Sequence, residues 1–455
     1  MEVRDKSTGN LLREVRENTR SEAEDTIGKG LVACDDLDSL PVDELAKGLL
    51  SISDAILNNT DSLSRTISVE TGMAIIRSRE DLHMASQEFR MAAYHLFSKF
   101  TERTTIPVEP NDASLMTFQK QSPLGIILVF SSPLESFSHS AKVFAQAISS
   151  GNSVISVPPS LSPGPFEELK KIIEHTTLPK DIFQILFLGN HSRVFRDVIR
   201  NEGIGEITLI GRRTDFEYIR KEISGRNVLL GGKSASPVIV WDDADLDSAA
   251  QYVAESAFYN HEGGYSWARK VILREDSYEY FKNRLVELAS QLKTGTPEDE
   301  DTAIGPLPDE LYAEEAAEQI LEAVNKGASI LTGGVGNGNL LPPTIMEYMP
   351  EDSPLLRGEG CAPFLCLEQV GSLDEAIKSA NRFHEHVQAS IFTSDIDLAT
   401  GAAEKLHFAN VLINEAPGPY SGFWHRGLEN AHNMPENIVD LRREFSRTKI
   451  VKLKK

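Results

Sequence analysis

From residue 122 onward, short apolar runs alternate with amphipathic stretches of helical length, and this rhythm restricts the fold more than any other feature of the chain. "GIILVFSS" reads as a strand and "ESFSHSAKVFAQAISSG" as a helix closed by Gly151. "NSVISVPP" reads as a strand, and "GPFEELKKIIEHTT" as a helix with proline in its first turn. "IFQILFLG", "HSRVFRDVIRN" and "GEITLIG" continue as strand, helix and strand. Repeats of this length place strands side by side in parallel, with crossover helices on both faces, so each strand is apolar on both sides. Glycine after the last helical residue supplies the left-handed cap that ends a helix.

The alternation resumes after "VLLGGKSASPVIVWDDADLDSAAQYVAESAFY". "RKVILRE", "ASILTGG", "ASIFTS" and "ANVLIN" read as strands. "SYEYFKNRLVELASQLK", "AEEAAEQILEAVNKG" and "LDEAIKSANRF" read as helices. A second α/β unit is therefore expected over roughly residues 231–432. Residues 38–100 carry apolar side chains at helical spacing. "TTIPVEP" and "ASLMTFQK" read as extended arms, and "FSRTKIVKLKK" as a final strand. A chain of 455 residues exceeds one simple core, so two domains are expected. With no internal repeat and no low-complexity linker, they should pack closely.

The net charge of −22 repels phosphate backbones, which argues against a nucleic-acid partner. Three cysteines, Cys34, Cys361 and Cys366, are too few for a disulfide framework and suit a reducing cytoplasm. The N-terminal "MEVRDKSTGNLLREVREN" lacks the apolar core of a signal peptide. No apolar run approaches the roughly 20 residues of a membrane span. A cytoplasmic protein with no membrane partner is the expectation.

Several motifs fail when their geometry is required of them. "GGKS" at 231–234 suggests a phosphate loop, but the position that needs glycine is Asn227. "DDADLD" at 242–247 lacks the glycine and final glutamate of a calcium loop and reads as an acid-rich helix start. "GGVGNGN" has the wrong spacing for a dinucleotide fingerprint. His384 and His386 flank Glu385 without the further ligands that zinc requires, so no metal site is expected. "GYSWA" at 264–268 approaches a nucleophile elbow around Ser266, but a strand follows where a helix is needed.

Other stretches, taken in order and spacing, resemble the aldehyde dehydrogenase superfamily over essentially the whole chain. "ISVETGMAIIRSREDLHMASQEFRMAAYHL", with Glu70, Thr71 and Gly72, is similar to its N-terminal helices. "SPLGIILVF", "AQAISSGNSVISVPPS" and "LPKDIFQILFLGN" resemble its cofactor domain. "LLGGKSASPVIVWDDADLDSAA", "AIGPL", "GASILTGG", "PPTIM", "GEGCAPFLCLEQV", "ASIFTSDID", "ANVLIN" and "PYSGFWHRGL" resemble its catalytic domain. The resemblance implies an α/β fold: a Rossmann-type parallel-sheet cofactor domain (1–107 and 122–230), a second α/β catalytic-type domain (231–432) and an oligomerisation arm (108–121 and 433–455). It also implies NAD or NADP as cofactor, and a homodimer or tetramer.

That family attacks an aldehyde with a cysteine thiolate, holds the oxyanion on an asparagine, passes hydride to NAD(P), and hydrolyses the thioester through a glutamate. Ungapped counting puts the cysteine position on Tyr265, seven residues after Phe258. It puts the glutamate on Leu229 and the asparagine on Leu134. No cysteine lies between Cys34 and Cys361, so a small shift in register restores nothing.

Among cofactor positions, the family's lysine becomes Val157, followed by Pro158 and Pro159. Its Gly-Ser-Thr becomes Gly211, Arg212 and Arg213, two arginines that could still meet phosphate. Glu359 matches the glutamate on the nicotinamide ribose, and the phenylalanine two residues on is Cys361. Tyrosine ionises near pH 10, so Tyr265 is a poor substitute nucleophile at neutral pH. The resemblance therefore implies the family's scaffold with its chemistry lost, leaving binding, regulation or structure as the role. The alternative is an active NAD(P)-dependent oxidoreductase acting on a carbonyl compound through a non-standard site. The old substrate tunnel, with Tyr265 and Trp267 adding aromatic bulk, is either packed shut or a small-molecule site.

Overall fold

Two sheets organise the molecule, each built from the alternation seen in the sequence. The computed structural model describes residues 1–97, 115–189, 192–223, 228–231, 235–260, 267–357, 360, 362–383, 386–418 and 438–454. The chain opens with an antiparallel pair, β1 (Glu2–Arg4) and β2 (Leu11–Glu14), then helices α1 (Arg20–Asp38), α2 (Val42–Asn58), α3 (Thr60–Thr71) and α4 (Ile75–His95). Next come β3 (Leu115–Pro123), β4 (Ile126–Ser131), α5 (Phe137–Ser149), β5 (Ser153–Val157), α6 (Gly164–Glu174), β6 (Phe183–Ile185), α7 (Arg193–Ile199), β7 (Ile204–Ile210), α8 (Glu217–Glu222) and β8 (Val228–Gly231). The second half runs β9 (Ala235–Val240), α9 (Leu246–Ala257), β10 (Trp267–Arg274), α10 (Glu275–Gln291), α11 (Glu310–Asn325), β11 (Ser329–Thr332), β12 (Thr344–Glu347) and β13 (Phe364–Val370). It closes with α12 (Leu373–Ala380), β14 (Gln388–Phe392), α13 (Ile396–Lys405), β15 (Asn410–Ile413), α14 (Ile438–Glu444) and β16 (Ser446–Lys454).

The first sheet has the order β6-β5-β4-β7-β8, and every pair in it is parallel. Its strands are buried on both faces, as expected. In β4, Ile127 and Val129 join α2, α4 and α5 in one core. Ile126, Leu128 and Phe130 face the other way and join Ala23 and Ile27 of α1 with Phe195 and Val198 of α7. The strand order reverses between β4 and β7, the kind of switch point where open α/β sheets leave a crevice for ligands.

The second sheet has the order β11-β12-β13-β10-β9-β14-β15 and is parallel except for β11 with β12. The two halves touch at Gly72, the left-handed cap of α3 (φ 86°). A Cβ there would lie 1.9 Å from the Pro306 carbonyl oxygen, so only glycine fits this approach. Just before it, buried Glu70 accepts the Gly164 N–H at 2.7 Å and pairs with Arg13 at 2.7 Å.

The final strand expected from the tail is present as β16. It pairs antiparallel with β3 from Ser446↔Pro123 to Lys454↔Leu115. The rest of the proposed arm, 108–114 and 433–437, lies outside the described residues. The sequence pattern gives no expectation of α1, the β1–β2 pair, α8, β8, β9, β12, β13, α13 or α14, and the strand expected from "IFQILFLG" covers only Phe183–Ile185.

Candidate functional site

Two of the three positions expected to carry chemistry are core positions. Leu229, on β8, is 6% exposed and packs with Ile210 and Phe137 in the core under α5. Leu134 lies in the turn between β4 and α5 and is fully buried. It joins a cluster otherwise drawn from the second half, including Leu307, Ala316 and Phe364. Neither side chain offers a proton or a hydrogen bond. Tyr265, Ser266, Glu359, Cys361 and His384 lie outside the described residues. Val157 packs with Phe130 and Leu188 in the core beneath α1 and α7. The Nε2 of His386 is 3.3 Å from the Asn381 carbonyl oxygen, and the ring packs edge-on against Phe408. No group of three or more His, Cys, Asp or Glu side chains among the described residues is placed to hold a metal ion.

The switch-point crevice is the natural place for a dinucleotide pyrophosphate. Gly211, at the end of β7 (φ 143°), lies against Ser132 so tightly that a Cβ would come within 2.3 Å of the serine Cβ. Arg212 does not offer its guanidinium to a phosphate, contrary to the expectation from sequence. It is 4% exposed, and its Nη2 lies 2.8 Å from Asp215 and its Nη1 2.8 Å from Glu315 on α11. Its Cζ sits 5.4 Å from the Tyr312 ring centroid. Asp215 also accepts the Ser132 hydroxyl at 2.6 Å. Two carboxylates and a sequestered arginine thus occupy the start of the helical segment after β7. Beside them, Leu134 bridges the two halves. These residues do not fit a pyrophosphate: the fixed negative charges oppose it, and the nearest buried cation is already matched.

The more open feature is a cleft of about 1070 Å³ between α4, α5, the end of α9, the start of β10 and residues 413–418. His139 is in the first turn of α5, and Glu135 lies just before the helix, ahead of its N-cap Ser136. Their side chains are 5% and 1% exposed, with Nδ1 to Oε2 at 3.1 Å. His139, Lys142 and Trp267 line the cleft. The Trp267 ring stacks on Tyr259 at 4.4 Å and 18°, and the Arg77 guanidinium lies 4.4 Å from the Tyr259 ring centroid. Burial, with the charges of Glu80 and Asp81, pushes the Tyr259 phenol well above its ordinary range.

The closeness of Glu135 and His139 could have been suspected from "ESFSH", where an acid stands just ahead of a helix that carries a histidine in its first turn. The contacts of Asp81 with Ser138, of Arg77 with Tyr259 and of Tyr259 with Trp267 could not, because they depend on the fold.

Asp81, on α4, lies fully buried and accepts hydrogen bonds from the Ser138 hydroxyl and backbone N–H. Burial raises its carboxyl to about 6, outweighing the Ser138 bonds and the nearby His139. The unfolded chain loses this proton near pH 4, and the folded chain holds it until about pH 6. Stability contributed through Asp81 is therefore greatest below pH 4 and declines by about 3 kcal/mol as pH rises to 6, at ~1.4 kcal/mol per unit. Unfolding free energies of wild type and Asp81→Asn, measured from pH 4 to 7, should diverge by that amount. Parallel profiles would show that Asp81 titrates normally.

A family model described as the aldehyde dehydrogenase family matches residues 1–451. Lactaldehyde dehydrogenase of Methanococcus vannielii is 30% identical over 392 residues, covering 84% of this chain and 82% of that protein. 3-Sulfolactaldehyde dehydrogenase of Priestia aryabhattai is 28% identical over 385 residues, covering 82% and 80%. Among solved structures, glyceraldehyde-3-phosphate dehydrogenase of Methanocaldococcus jannaschii, complexed with NADP, superposes with a TM-score of 0.90 at 25% identity, covering 100% of this chain and 99% of that one. Lactaldehyde dehydrogenase of Escherichia coli superposes with a TM-score of 0.93 at 22% identity, covering 100% and 96%. Among the described residues, no helix is long and apolar enough to cross a membrane.

Proposed function

The chain belongs to the aldehyde dehydrogenase family, and we propose that it uses the family's scaffold to bind a small molecule in the cleft beside α5, without oxidising an aldehyde. One feature supports this reading: counting between the family's landmarks in the sequence puts Tyr265, Leu229 and Leu134 at the positions of its cysteine, glutamate and asparagine. The chain's cysteines are Cys34, Cys361 and Cys366, and Leu134 and Leu229 are core residues. Of the two described cysteines, Cys34 is buried against Gly125 and Ser153. Cys366 is buried in the second sheet, its thiol pushed up to about 12 by burial. Neither lines the cleft. Residues 1–107 and 122–230 then act as the dinucleotide-type unit and 231–432 as the catalytic-type unit. Residues 108–121 and 433–455 form an arm that pairs copies into a homodimer or tetramer, in a cytoplasmic setting.

A second reading, an active NAD(P)-dependent oxidoreductase with a non-standard site, is favoured by one observation: the curated relatives at 28–30% identity are named as dehydrogenases. Titration with NAD and NADP, followed by a scan of aldehydes that includes lactaldehyde and follows NAD(P)H absorbance, separates the two. The expected result is no saturable dinucleotide binding and no reduction above the protein-free rate. Steady turnover that survives Cys361→Ala and disappears in Tyr265→Phe would establish the second reading instead.

A further inference from the structure

The charged network at the switch point joins the two halves of the molecule. Ser132 follows β4, and Arg212 and Asp215 follow β7, so all three belong to the first half. Tyr312, Glu315 and Gln319 lie on α11 of the second half, on one face of that helix. Glu315 accepts Nη1 of Arg212 at 2.8 Å on Oε1 and Nη2 at 3.3 Å on Oε2, and the Tyr312 ring centroid lies 5.4 Å from the guanidinium carbon. Gln319 donates to Glu315 Oε1 at 3.2 Å and steadies it from the next turn. Ala316, the residue after Glu315, is buried in the cluster that takes in Leu134 from the first half.

The two sides of the guanidinium are held differently. Asp215 comes from the same segment, three residues on, is 11% exposed and is fixed by the Ser132 hydroxyl at 2.6 Å. Glu315 is 39% exposed and hangs from a helix of the other half. Moving the halves apart therefore separates Arg212 from Glu315 and leaves Arg212 with Asp215. Water takes up the released Glu315 carboxylate at little cost, because that group already stands at the rim. While it holds, the two-point contact fixes one closed geometry across the crevice between β4 and β7.

We infer that the contact between Arg212 and Glu315 is a latch between the halves, one that holds the dinucleotide crevice shut and keeps pyrophosphate-bearing ligands out. Closed, it fills the start of the segment after β7 with two carboxylates and a matched cation. Released from α11, Arg212 regains Nη1 as a donor for a phosphate oxygen, which the closed state denies. The latch lies in the crevice and not in the cleft beside α5, so the inference goes beyond the ligand-binding reading above.

Hydrogen exchange and calorimetric titration with NAD, on the full chain and two variants, test it. Glu315→Gln removes the charge on the α11 side. Glu318→Gln, at an exposed position of the same helix, makes the same change of net charge outside the latch. In Glu315→Gln, amides of residues 211–217 and 312–319 should exchange at least about threefold faster, with those of β9 and β10 unchanged. NAD should bind Glu315→Gln at least about tenfold more tightly than wild type or Glu318→Gln, because apparent affinity scales with the fraction of open molecules. Equal NAD binding in wild type and Glu315→Gln, whether present or absent in both, overturns the latch. An equal gain in Glu318→Gln overturns it too, since net charge then suffices, and so does unchanged exchange at 211–217. The ligand-binding reading is decided separately, by the scan of aldehydes.

Discussion

Arg212→Ala lowers the unfolding free energy by about 3 kcal/mol, read from urea denaturation. The guanidinium is 4% exposed and is shared between Asp215, 11% exposed, and Glu315, 39% exposed. Removing it leaves the Asp215 carboxylate with the Ser132 hydroxyl and no buried cation. Glu315 can turn to water, which holds the loss near the lower end for a broken buried pair. Arg212→Lys should recover only part of it, because a point charge cannot serve two carboxylates and lie against Tyr312 as a planar fork does. In the double variant Arg212→Ala/Asp215→Ala, much of the loss should return, since the stranded charge is gone. A loss under about 0.5 kcal/mol would show that the network behaves like a solvated surface pair.

Leu229→Glu has the largest effect, a loss of about 4 kcal/mol or more at neutral pH. The side chain points from β8 into the apolar core that holds Ile210 and Phe137. The introduced carboxyl escapes part of the cost by staying protonated, so its folded-state pKa rises. Stability of the variant is then greatest at low pH and falls as pH climbs through that raised value. Leu229→Ala, which leaves only a cavity, should cost about 2–5 kcal/mol with no such pH dependence. Thermal melts of the three proteins at two pH values separate the cases. A variant as stable as wild type at neutral pH would mean that position 229 has access to water and that a glutamate there can work.

How much could be read in advance depended on the distance over which each feature is specified. The strands of the first sheet announce themselves because Ile126 to Phe130 are apolar on both faces. The helix α1 does not: it packs through Ala23, Ile27, Gly30, Ala33, Cys34 and Leu37. Small residues among many charges give little periodic contrast. That leucines stand at 134 and 229 could be read by counting between landmarks, and their burial fits apolar side chains. The fate of Arg212 did not. Asp215 is three residues away, but Glu315 is separated by 103 residues, and only the fold brings it near. Trp267 suggested bulk in a tunnel. Its stacking on Tyr259 and its unsatisfied indole N–H depend on how β10 meets the end of α9.

The pairing of β3 with β16 has a consequence for the order of events at the ribosome. Strand β3 emerges early but waits for residues more than 300 positions later in the sequence. The same late segment supplies the Phe445 carbonyl that accepts Asn152, and the Arg442 guanidinium that donates to the His95 carbonyl. Until it arrives, one ladder of β3 stays open, and the Asn152 side chain and the His95 carbonyl lack those partners. A nascent chain halted before residue 446 therefore carries an unprotected strand that invites pairing with neighbouring chains on the same message.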